Sequence, residues 1–563
     1  MYISDKSKLI NTYDAIVIGS GISGGWAAME LCKKGLKTLL LERGRDVKHL
    51  IDYPTANLRP WDFKFGLNNT LTDIQQDPVQ HAAYDPGNKH FFVSDHDHPY
   101  IQTKPFSWLR GYQVGGRSLT WGRQCYRLSD LDFEANKKEG IAVDWPIRYK
   151  DIAPWYSYAE SHIGVSGQKE NLSQLPDGEF LPPMELNCIE KHLATFLKEN
   201  VQDRLLTIAR VANLTRGWDN RGVCQNRNLC SRGCPFGGYF SSNSSTIPTA
   251  MATGNLTLRP FSVVSEILFD EHKQKAKGVR VIDTVTQEVI EFYSKIVFVN
   301  ASTIATTGIL LNSVSDRFPN GFGNGSGELG HNLMDHHSSA GAFGTHPEYT
   351  DMYYKGRRPA GFLIPRYRNL KDNENLNFTR GYNIQGHGER QEWMDKNPAG
   401  FGKDFKQQLT TPGPWAIWMA GWGECLPYYN NQVTLDKFQK DKWGQPLVNI
   451  DFSFEDNENK MMKDIESTSG EMLEKSGFQN IDTFIYNRPG GSTIHEMGTA
   501  RMGRDPKTSV LNEFNQMHEA KNVFITDGSC MTSSGCQNPS LTYMALTARA
   551  SNFAAEQLKR GQI

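Results

Sequence analysis

Apolar runs separated by glycine-rich turns predict a strand–helix–strand unit at the start of the chain. Residues 15–18 are four consecutive apolar residues, a pattern typical of a strand buried on both faces. After a glycine turn, Trp26, Met29 and Leu31 recur at helical spacing, and residues 38–42 (TLLLE) form a second apolar run. The pattern therefore predicts a βαβ unit.

The apolar pattern of the remaining chain predicts two domains that alternate along the sequence. Residues 256–302 contain further strand-like runs broken by turns, and residues 303–313 (TIATTGILLNS) then have the pattern of a helix. Residues 415–455 are strand-like as well. Glycine turns return near the C-terminus, where residues 522–529 predict a strand and a helix is expected from Asn538 onward. The two ends of the chain resemble parts of a cofactor site, and the middle does not.

Composition excludes several classes of protein. With 563 residues the chain is too long for one simple core. Its 61 basic and 62 acidic residues give a net charge of −1, so no basic field predicts nucleic-acid binding. No segment approaches the ~20 apolar residues of a membrane span. The N-terminus has no basic-then-apolar export signal, and the odd count of nine cysteines argues against a complete disulfide framework.

The turn after the first strand carries a dinucleotide-binding fingerprint. Gly19, Gly21 and Gly24 form G-x-G-x-x-G between a strand and a helix, and Glu42 ends the next strand. The first glycine permits a tight turn, the second lets the backbone approach a pyrophosphate, and the third allows close helix–strand packing. Glu42 can accept hydrogen bonds from a ribose diol. The alternative is a glycine-rich turn without a ligand. Ala28 and Gly35 extend the pattern in the way that FAD-binding versions do, which favours FAD over NAD.

Three later segments could complete such a site. Gly115 and Gly116 precede small polar residues, where a flat ring could lie against the backbone, although a structural turn would look the same. His495 stands before glycines in a non-helical segment, and a lone histidine is more often structural than catalytic. Asn538 followed by Pro539 is typical of a helix start, with Asn at the N-cap and Pro at the first helical position.

These motifs, taken in order, resemble the glucose–methanol–choline (GMC) oxidoreductases, flavoenzymes that oxidise alcohols. The resemblance rests on the fingerprint, the paired glycines, ASTIATTGILLNS, GELGHNLMDHH, HEMGTARMG and the DGS…NPSLT ending, which span nearly the whole chain. It implies an α/β fold in which a doubly wound FAD-binding domain is interleaved with a substrate domain built on an antiparallel sheet with helices. We assign the domains as follows: residues 1–50, 100–130, 240–335 and 490–563 bind FAD, residues 51–99, 131–220 and 336–489 bind substrate, and residues 221–240 form a separate cysteine segment.

The resemblance also implies roles for individual residues. His495 and Asn538 fall on the catalytic pair of the family. The flavin contacts fall on the fingerprint glycines, Gly115 and Gly116, Glu42, Arg43, Asn538 and Asp527, and by similar position on Val264. A neutral histidine, with an ordinary pKa of about 6.5, is a suitable base for the hydroxyl proton, and Asn538 can orient the same hydroxyl. Thr120 occupies the place where related sugar oxidases carry a flavin-tethering histidine, so FAD is expected to be non-covalent.

Cys224, Cys230 and Cys234 have the spacing C-x5-C-x3-C-P. A disulfide would leave one thiol over, and zinc normally takes four ligands, which this segment lacks. Unconnected thiols or an iron–sulfur cluster remain, and C-x3-C-P ends a common cluster motif. Three thiolates fit a 3Fe-4S cluster better than a four-iron one. The spacing is similar to that in the catalytic subunits of multi-subunit bacterial FAD glucose dehydrogenases and glucoside 3-dehydrogenases, which carry such a cluster.

The expected function is therefore a sugar dehydrogenase. The opening segment resembles glucoside 3-dehydrogenase catalytic subunits, which oxidise the C3 hydroxyl of glucosides and disaccharides to 3-keto sugars. Alternatives are C1 oxidation of glucose or a related polyol, an oxidase that uses oxygen, or a flavin fold with a lyase or structural role. A cluster would pass single electrons to a separate acceptor, such as a cytochrome c subunit. Co-export with a small signal-bearing partner would place the protein in the periplasm, and otherwise it is cytoplasmic.

Overall fold

The computed structural model describes residues 11–354, 358–371, 376–391 and 400–563. Its strands are β1 Thr12–Ile18, β2 Thr38–Leu41, β3 Lys64–Leu67, β4 Ile101–Gln102, β5 Thr207–Ile208, β6 Leu256–Arg259, β7 Ser262–Asp270, β8 Lys275–Asp283, β9 Val289–Val299, β10 Ala340–His346, β11 Phe362–Ile364, β12 Tyr382–Arg390, β13 Trp415–Gly423, β14 Gln432–Lys440, β15 Pro446–Asp451, β16 Gln479–Ile485 and β17 Val523–Phe524. Its α-helices are α1 Ile22–Lys33, α2 Leu71–Gln76, α3 Asp130–Phe133, α4 Ala135–Glu139, α5 Tyr149–Ile163, α6 Cys188–Asn200, α7 Thr246–Ala252, α8 Thr303–Asn312, α9 Lys403–Thr410, α10 Asp456–Lys475 and α11 Ser540–Lys559.

The first sheet is mostly parallel and contains the predicted βαβ unit. Its strand order is β6-β2-β1-β9-β8-β7, with β17 beside β9. Strands β6, β2, β1, β9 and β17 pair in parallel, whereas β7, β8 and the first half of β9 form an antiparallel meander. Residues 15–18 are fully or almost fully buried, as expected for a strand covered on both faces. This sheet confirms the predicted α/β class.

The second sheet is entirely antiparallel and lies in the middle of the chain. Its order is β16-β10-β13-β12-β11-β5. Helix α10 packs on it through buried apolar residues that include Met461, Ile465 and Leu473, and these belong to a hydrophobic cluster separate from the core of the first sheet. The predicted antiparallel sheet is confirmed. A small third sheet, β14-β15-β4, carries a hairpin that reaches the edge of the first sheet.

The first sheet brings several distant loops to one edge. Strands β1 and β9 are parallel and in register, with Ile18 opposite Val299, so the loops that follow them leave at the same edge. Ligands of open α/β sheets bind outside the carboxyl ends of the strands. A deep cavity opens at this edge, and helices α1 and α8 and the start of α11 border it. Within the described ranges, no helix is long and apolar enough to cross a bilayer.

Two sequence predictions at the C-terminal end need correction. The segment 522–529 forms only the short strand β17, because Thr526 leaves the ladder and donates its backbone N–H to the side chain of Asn300. Helix α11 begins at Ser540 with Pro539 at the N-cap position, so Asn538 is not the N-cap. The Asn538 amide is instead engaged by side chains of the cavity, which removes it from the helix terminus.

Candidate active site

The fingerprint glycines fold as their spacing predicts. Gly19 has φ = +90°, and a Cβ there would lie 2.4 Å from the Asn300 carbonyl oxygen. A Cβ on Gly24 would lie 1.8 Å from the Gly19 carbonyl oxygen, so only glycine allows this helix–strand approach. A Cβ on Gly21 would meet no atom within 4 Å. Gly21 and the N-terminus of α1 face the cavity, where the free N–H groups favour an anion such as a pyrophosphate.

Glu42 lies at the end of β2 and lines the same cavity. One carboxylate oxygen accepts hydrogen bonds from Ser20 N (3.2 Å) and Ser20 Oγ (2.5 Å), and the other accepts from Gly44 N (3.0 Å). Burial raises the pKa of Glu42, and these hydrogen bonds oppose that shift. Since each oxygen can accept more than one bond, the carboxylate can still accept from a ribose diol.

The next residue, Arg43, is held by aromatic rings rather than by a fixed ion pair alone. Its guanidinium lies 4.5 Å from the Tyr112 ring centroid and 4.6 Å from that of Trp443, with Asp441 at 3.3 Å. Asp441 and Trp443 belong to the turn between β14 and β15, so the hairpin is attached to this end of the cavity. Val264, on β7, lines the cavity as well.

Buried polar atoms with no partner test whether a dinucleotide fits. Asn300 and Tyr543 both line the cavity, and neither Asn300 Nδ2 nor Tyr543 Oη has a hydrogen-bond partner among the described residues. An unpaired buried donor costs roughly 1–3 kcal/mol, so such atoms indicate a missing polar ligand. Together with the glycine turn and Glu42, they fit the phosphates, ribose and ring edges of FAD.

The paired glycines, Gly115 and Gly116, form a tight turn at the wall of the cavity. Gly115 has φ = +91°, donates its N–H to Ser20 Oγ (2.9 Å), and has no room for a Cβ because Asn243 Oδ1 would lie 1.7 Å away. Gly116 lines the cavity opposite Gly21. Thr120 closes the short turn Gly116–Leu119 and does not line the cavity. Because residue 120 is a threonine, this position offers no histidine ring for a covalent bond to the flavin.

Asp527 follows strand β17 and lines the cavity. One of its oxygens accepts from Ser529 N (3.1 Å) and the other from Thr306 Oγ1 (2.5 Å). Burial raises its pKa, and these hydrogen bonds oppose that shift. Nearby, Arg117 and the buried Glu496 form a partly buried ion pair at 2.8 Å, and both residues line the cavity.

The structure brings His495 and Asn538 together, 43 residues apart in sequence. His495 Nε2 lies 3.4 Å from Asn538 Nδ2, and both residues line the cavity. Burial lowers the pKa of His495 well below its ordinary value, and the neighbouring His336 and Arg117 lower it further. His495 is therefore neutral at physiological pH, which is the state of a proton acceptor.

The loop that presents His495 is held in an unusual conformation. Ile494 has φ = +59°, which a β-branched residue adopts only when its surroundings impose it. The buried Asp335 carboxylate imposes it by accepting the backbone N–H groups of Gly491 (2.8 Å) and His495 (3.1 Å) together with the Thr493 hydroxyl. Burial raises the pKa of Asp335 to about 7.

Sequence reasoning missed several neighbours of the catalytic pair. His336 Nδ1 lies 2.9 Å from His495 Nδ1, and Gln385 Nε2 donates to Asn538 Oδ1 at 2.7 Å. The two adjacent histidines in the LMDHH stretch were a signal for the first, since that stretch contributed to the family resemblance. Gln385 lies on β12 of the other sheet, and nothing in the local pattern marks it.

The three cysteines lie in one loop outside the cavity. Cys224, Cys230 and Cys234 are half-buried free thiols, and burial raises the pKa of Cys224, with the other two thiols adding to the shift. Asn213 Nδ2 approaches Cys224 Sγ at 3.9 Å, and Gly238 N donates to Cys234 Sγ at 3.3 Å. Across the residues that the structure describes, no three His, Cys, Asp or Glu side chains are grouped closely enough to hold a single metal ion.

The arrangement can hold a dinucleotide at one end and remove a proton at the other.

Similar proteins support this interpretation of the fold. Residues 13–338 and 427–547 match the two GMC oxidoreductase family models. The chain is 27% identical to 2-methyl-1,2-propanediol dehydrogenase from Mycolicibacterium austroafricanum, covering 97% of this chain and 95% of that protein. It is 24% identical to the fructose dehydrogenase large subunit of Gluconobacter japonicus, covering 97% and 98%.

A solved structure shows the same fold at low identity. An Aspergillus oryzae RIB40 formate oxidase variant, whose structure concerns FAD modification, superposes with a TM-score of 0.61 at 14% identity, covering 98% of this chain and 99% of that one. The family model alone spans more than half of the chain. The chain belongs to the FAD-binding GMC oxidoreductases, a family of dehydrogenases and oxidases that act on CH–OH groups.

Proposed function

We propose that the protein is an FAD-dependent sugar dehydrogenase that oxidises a secondary hydroxyl, C3 of glucosides or disaccharides, to a ketone. The observation that carries the proposal is that His495 Nε2 and Asn538 Nδ2 lie 3.4 Å apart at the wall of the dinucleotide cavity. A hydroxyl placed between them can donate its proton to the imidazole and accept a hydrogen bond from the amide.

The chain supplies the proton chemistry and the positioning. Bound FAD would supply the two-electron oxidant that takes the carbon-bound hydrogen as hydride at N5. His495 Nε2 takes the hydroxyl proton as the O–H bond breaks, and Asn538 Nδ2 donates to the oxygen as negative charge develops on it. The carbonyl forms when the C–H electron pair leaves with the hydride. Arg117 and burial disfavour the resulting imidazolium, so His495 releases the proton after turnover.

Polar side chains around the pair favour a sugar as substrate. Arg123 and Gln124 line the cavity, and Gln385, which accepts from Gln124 Nε2, reaches the pair from β12. The name of the fructose dehydrogenase relative supports a sugar, and the resemblance of the opening segment to glucoside 3-dehydrogenases favours C3. C1 oxidation of glucose or of a polyol is the alternative. The assignment of residues 51–99, 131–220 and 336–489 to substrate binding is part of the same proposal.

Methyl glucoside, whose C1 hydroxyl is blocked, tests the substrate assignment. Mixed anaerobically with the holoenzyme, it is expected to bleach the flavin absorbance, because a ring hydroxyl away from C1 is oxidised. Methyl 3-deoxyglucoside is the matched control and is expected to leave the flavin oxidised. Bleaching by glucose but not by methyl glucoside would establish C1 oxidation instead. Rapid hydrogen peroxide formation in air, without an added acceptor, would identify an oxidase.

The cysteine loop supports an electron relay, and a 3Fe-4S cluster is part of the proposal. Its three free thiols match the number and type of ligand that such a cluster needs. Ligands of a cluster bind different iron atoms and stand further apart than ligands of one ion, so the absence of a single-ion grouping among the described residues is compatible with it. The cluster would hand single electrons to an external acceptor.

Replacing Cys224, Cys230 and Cys234 together by serine tests the relay. We expect the variant to lose iron and acid-labile sulfide and the paramagnetic signal of the oxidised cluster. Flavin reduction by sugar is expected to persist, while reduction of a one-electron acceptor falls at least tenfold. Cys188→Ser, a buried thiol at the start of α6, is the matched control. Anaerobically purified wild-type protein without iron would remove the cluster from the proposal.

We extend the proposal to the partners and the compartment of the protein. The Gluconobacter relative is a large subunit, which supports an assembly with other subunits. We infer a cytochrome c or another soluble carrier as acceptor and a small export subunit that would bring the folded protein to the periplasm; a cytoplasmic location is the alternative. Neither nucleic acid nor a membrane span of its own is part of the proposal.

A further inference from the structure

We propose that His336, together with Asn383 and Gln385, fixes the hydrogen-bond polarity of the catalytic pair. These are positioning residues: they act on His495 and Asn538 and not on the substrate. The inference rests on the proposed function of that pair. It follows from two backbone carbonyls, those of Gly535 and Cys536, each of which can only accept hydrogen bonds.

The Gly535 carbonyl determines which nitrogen of His495 carries the proton. His336 Nε2 lies 2.7 Å from Gly535 O, so Nε2 carries a hydrogen and donates it. Burial lowers the pKa of His336 to about 4, so its ring is neutral and Nδ1 bears a lone pair. His336 Nδ1 lies 2.9 Å from His495 Nδ1, which must therefore donate. In neutral His495 the remaining nitrogen, Nε2, is the unprotonated acceptor.

The Cys536 carbonyl determines which way the Asn538 amide faces. Asn383 Nδ2 donates to Cys536 O, so Asn383 Oδ1 faces the other way. Gln385 must then present Nε2, which donates to Asn383 Oδ1 (3.0 Å) and to Asn538 Oδ1 (2.7 Å). With its oxygen engaged, Asn538 turns Nδ2 toward His495.

The second sheet makes this control possible. Asn383 and Gln385 alternate on β12 and therefore share one face of the strand. Both side chains are buried, and Gln385 Oε1 accepts from Gln124 Nε2, which anchors the glutamine at its other end. The two chains of hydrogen bonds begin at neighbouring carbonyls and meet at the gap of 3.4 Å between His495 Nε2 and Asn538 Nδ2. There the protein presents one acceptor and one donor to the same substrate oxygen.

The tautomer of His495 is measurable in the holoenzyme. With ¹⁵N-labelled histidine, the ring-nitrogen signals of His495 are assigned by their loss in His495→Asn. We expect a protonated Nδ1 and an unprotonated Nε2 in the wild type. In His336→Ala we expect a mixture of tautomers and a fall in the rate constant of flavin reduction of about tenfold or more, because a misplaced proton disables a histidine base. An Nε2-protonated His495 in the wild type would overturn the proposal.

Two further substitutions separate positioning from packing. In His336→Asn the side-chain oxygen can still accept from His495 Nδ1, so we expect the Nδ1-protonated tautomer to return and part of the rate with it. His337→Ala is the matched control: it removes the adjacent buried imidazole, whose two nitrogens have no partner among the described residues. Equal tautomer mixing in His337→Ala would mean that any buried deletion loosens the loop, and the proposal would fail.

Loss of the fixed Asn538 amide orientation is expected to have a different measurable effect from loss of the His495 tautomer. Gln385→Met keeps the length of the side chain but cannot donate, so the Asn538 amide loses its fixed orientation. We expect flavin reduction to slow by about tenfold while the His495 tautomer stays as in the wild type. An unchanged rate of flavin reduction in Gln385→Met would contradict the proposed role of Gln385 in orienting Asn538. If no sugar or alcohol reduces the flavin of the wild type, the proposed function fails, whereas the tautomer measurement still decides the polarity.

Discussion

His495→Ala is expected to lower the rate constant of flavin reduction by roughly 10²- to 10⁴-fold, the usual contribution of a positioned acid or base. The hydroxyl would then keep its proton as the hydride leaves, since Asn538 can donate to the oxygen but cannot accept its proton. Anaerobic stopped-flow mixing with saturating substrate measures this step directly. The flavin spectrum and FAD content should remain those of the wild type, because the glycine turn and Glu42, which we expect to hold the dinucleotide, are unchanged in this variant.

The outcome that would contradict this role is a His495→Ala enzyme that is fully loaded with FAD and reduced at the wild-type rate.

The pH dependence of flavin reduction offers a second check on the role of His495. Neutral imidazole is the active form, and burial together with His336 and Arg117 lowers the pKa of His495 well below its ordinary value. Flavin reduction should therefore stay level as the pH falls through about 6.5 and decline only at more acidic pH. A decline centred near pH 6.5 would indicate either an unperturbed histidine or protonation of Asp335, whose pKa burial raises to about 7.

Gly21→Ala and Gly24→Ala should fail in different ways, although the two glycines belong to one motif. A methyl group on Gly24 would lie 1.8 Å from the Gly19 carbonyl oxygen, so α1 must move away from β1. Overpacking of this kind costs about 1–3 kcal/mol or more, and we expect a lower thermal midpoint even in excess FAD. A methyl group on Gly21 meets no protein atom within 4 Å and points into space that FAD would fill.

Gly21→Ala should therefore fold normally and bind FAD weakly. A loss of about 2 kcal/mol corresponds to a roughly 30-fold higher Kd for FAD. Thermal unfolding at rising FAD concentrations separates the two variants: Gly21→Ala recovers its midpoint as the cofactor saturates, and Gly24→Ala does not. Wild-type FAD affinity in Gly21→Ala would show that the pyrophosphate does not approach the backbone at this turn.

Local patterns were sufficient for the elements of the FAD-binding half. Strands β1 and β2, helix α1 and helix α8 lie where the apolar pattern predicts them, because each buries a face whose period is visible in the sequence. Boundaries that depend on distant partners were harder to predict. The C-terminal strand is shorter than its apolar run, and Asn538 is not the cap of α11, since the Asn300 and Gln385 side chains compete for these groups.

The candidate site likewise contains residues that a local motif identifies and contacts that only the structure reveals. Gly19, Gly21 and Gly24 were recognisable because a phosphate-binding turn needs glycine at fixed spacing. His495 and Asn538 were identified through the family resemblance, and their separation of 3.4 Å is visible only in the structure. The cysteine spacing predicts a cluster, and that prediction awaits measurement of iron.

By itself, the sequence determined the family and the dinucleotide turn, and it supplied the candidates for the catalytic pair. These depend on residues that are close in the chain or on motifs that occur in a recognisable order. The hydrogen-bond polarity that we propose for that pair could be inferred only from the tertiary structure. His336 and Gln385 come from segments that are more than 150 residues away in sequence from the residues they contact, His495 and Asn538. Which nitrogen carries a proton, and which way an amide faces, depends on partners that folding alone brings within hydrogen-bond distance.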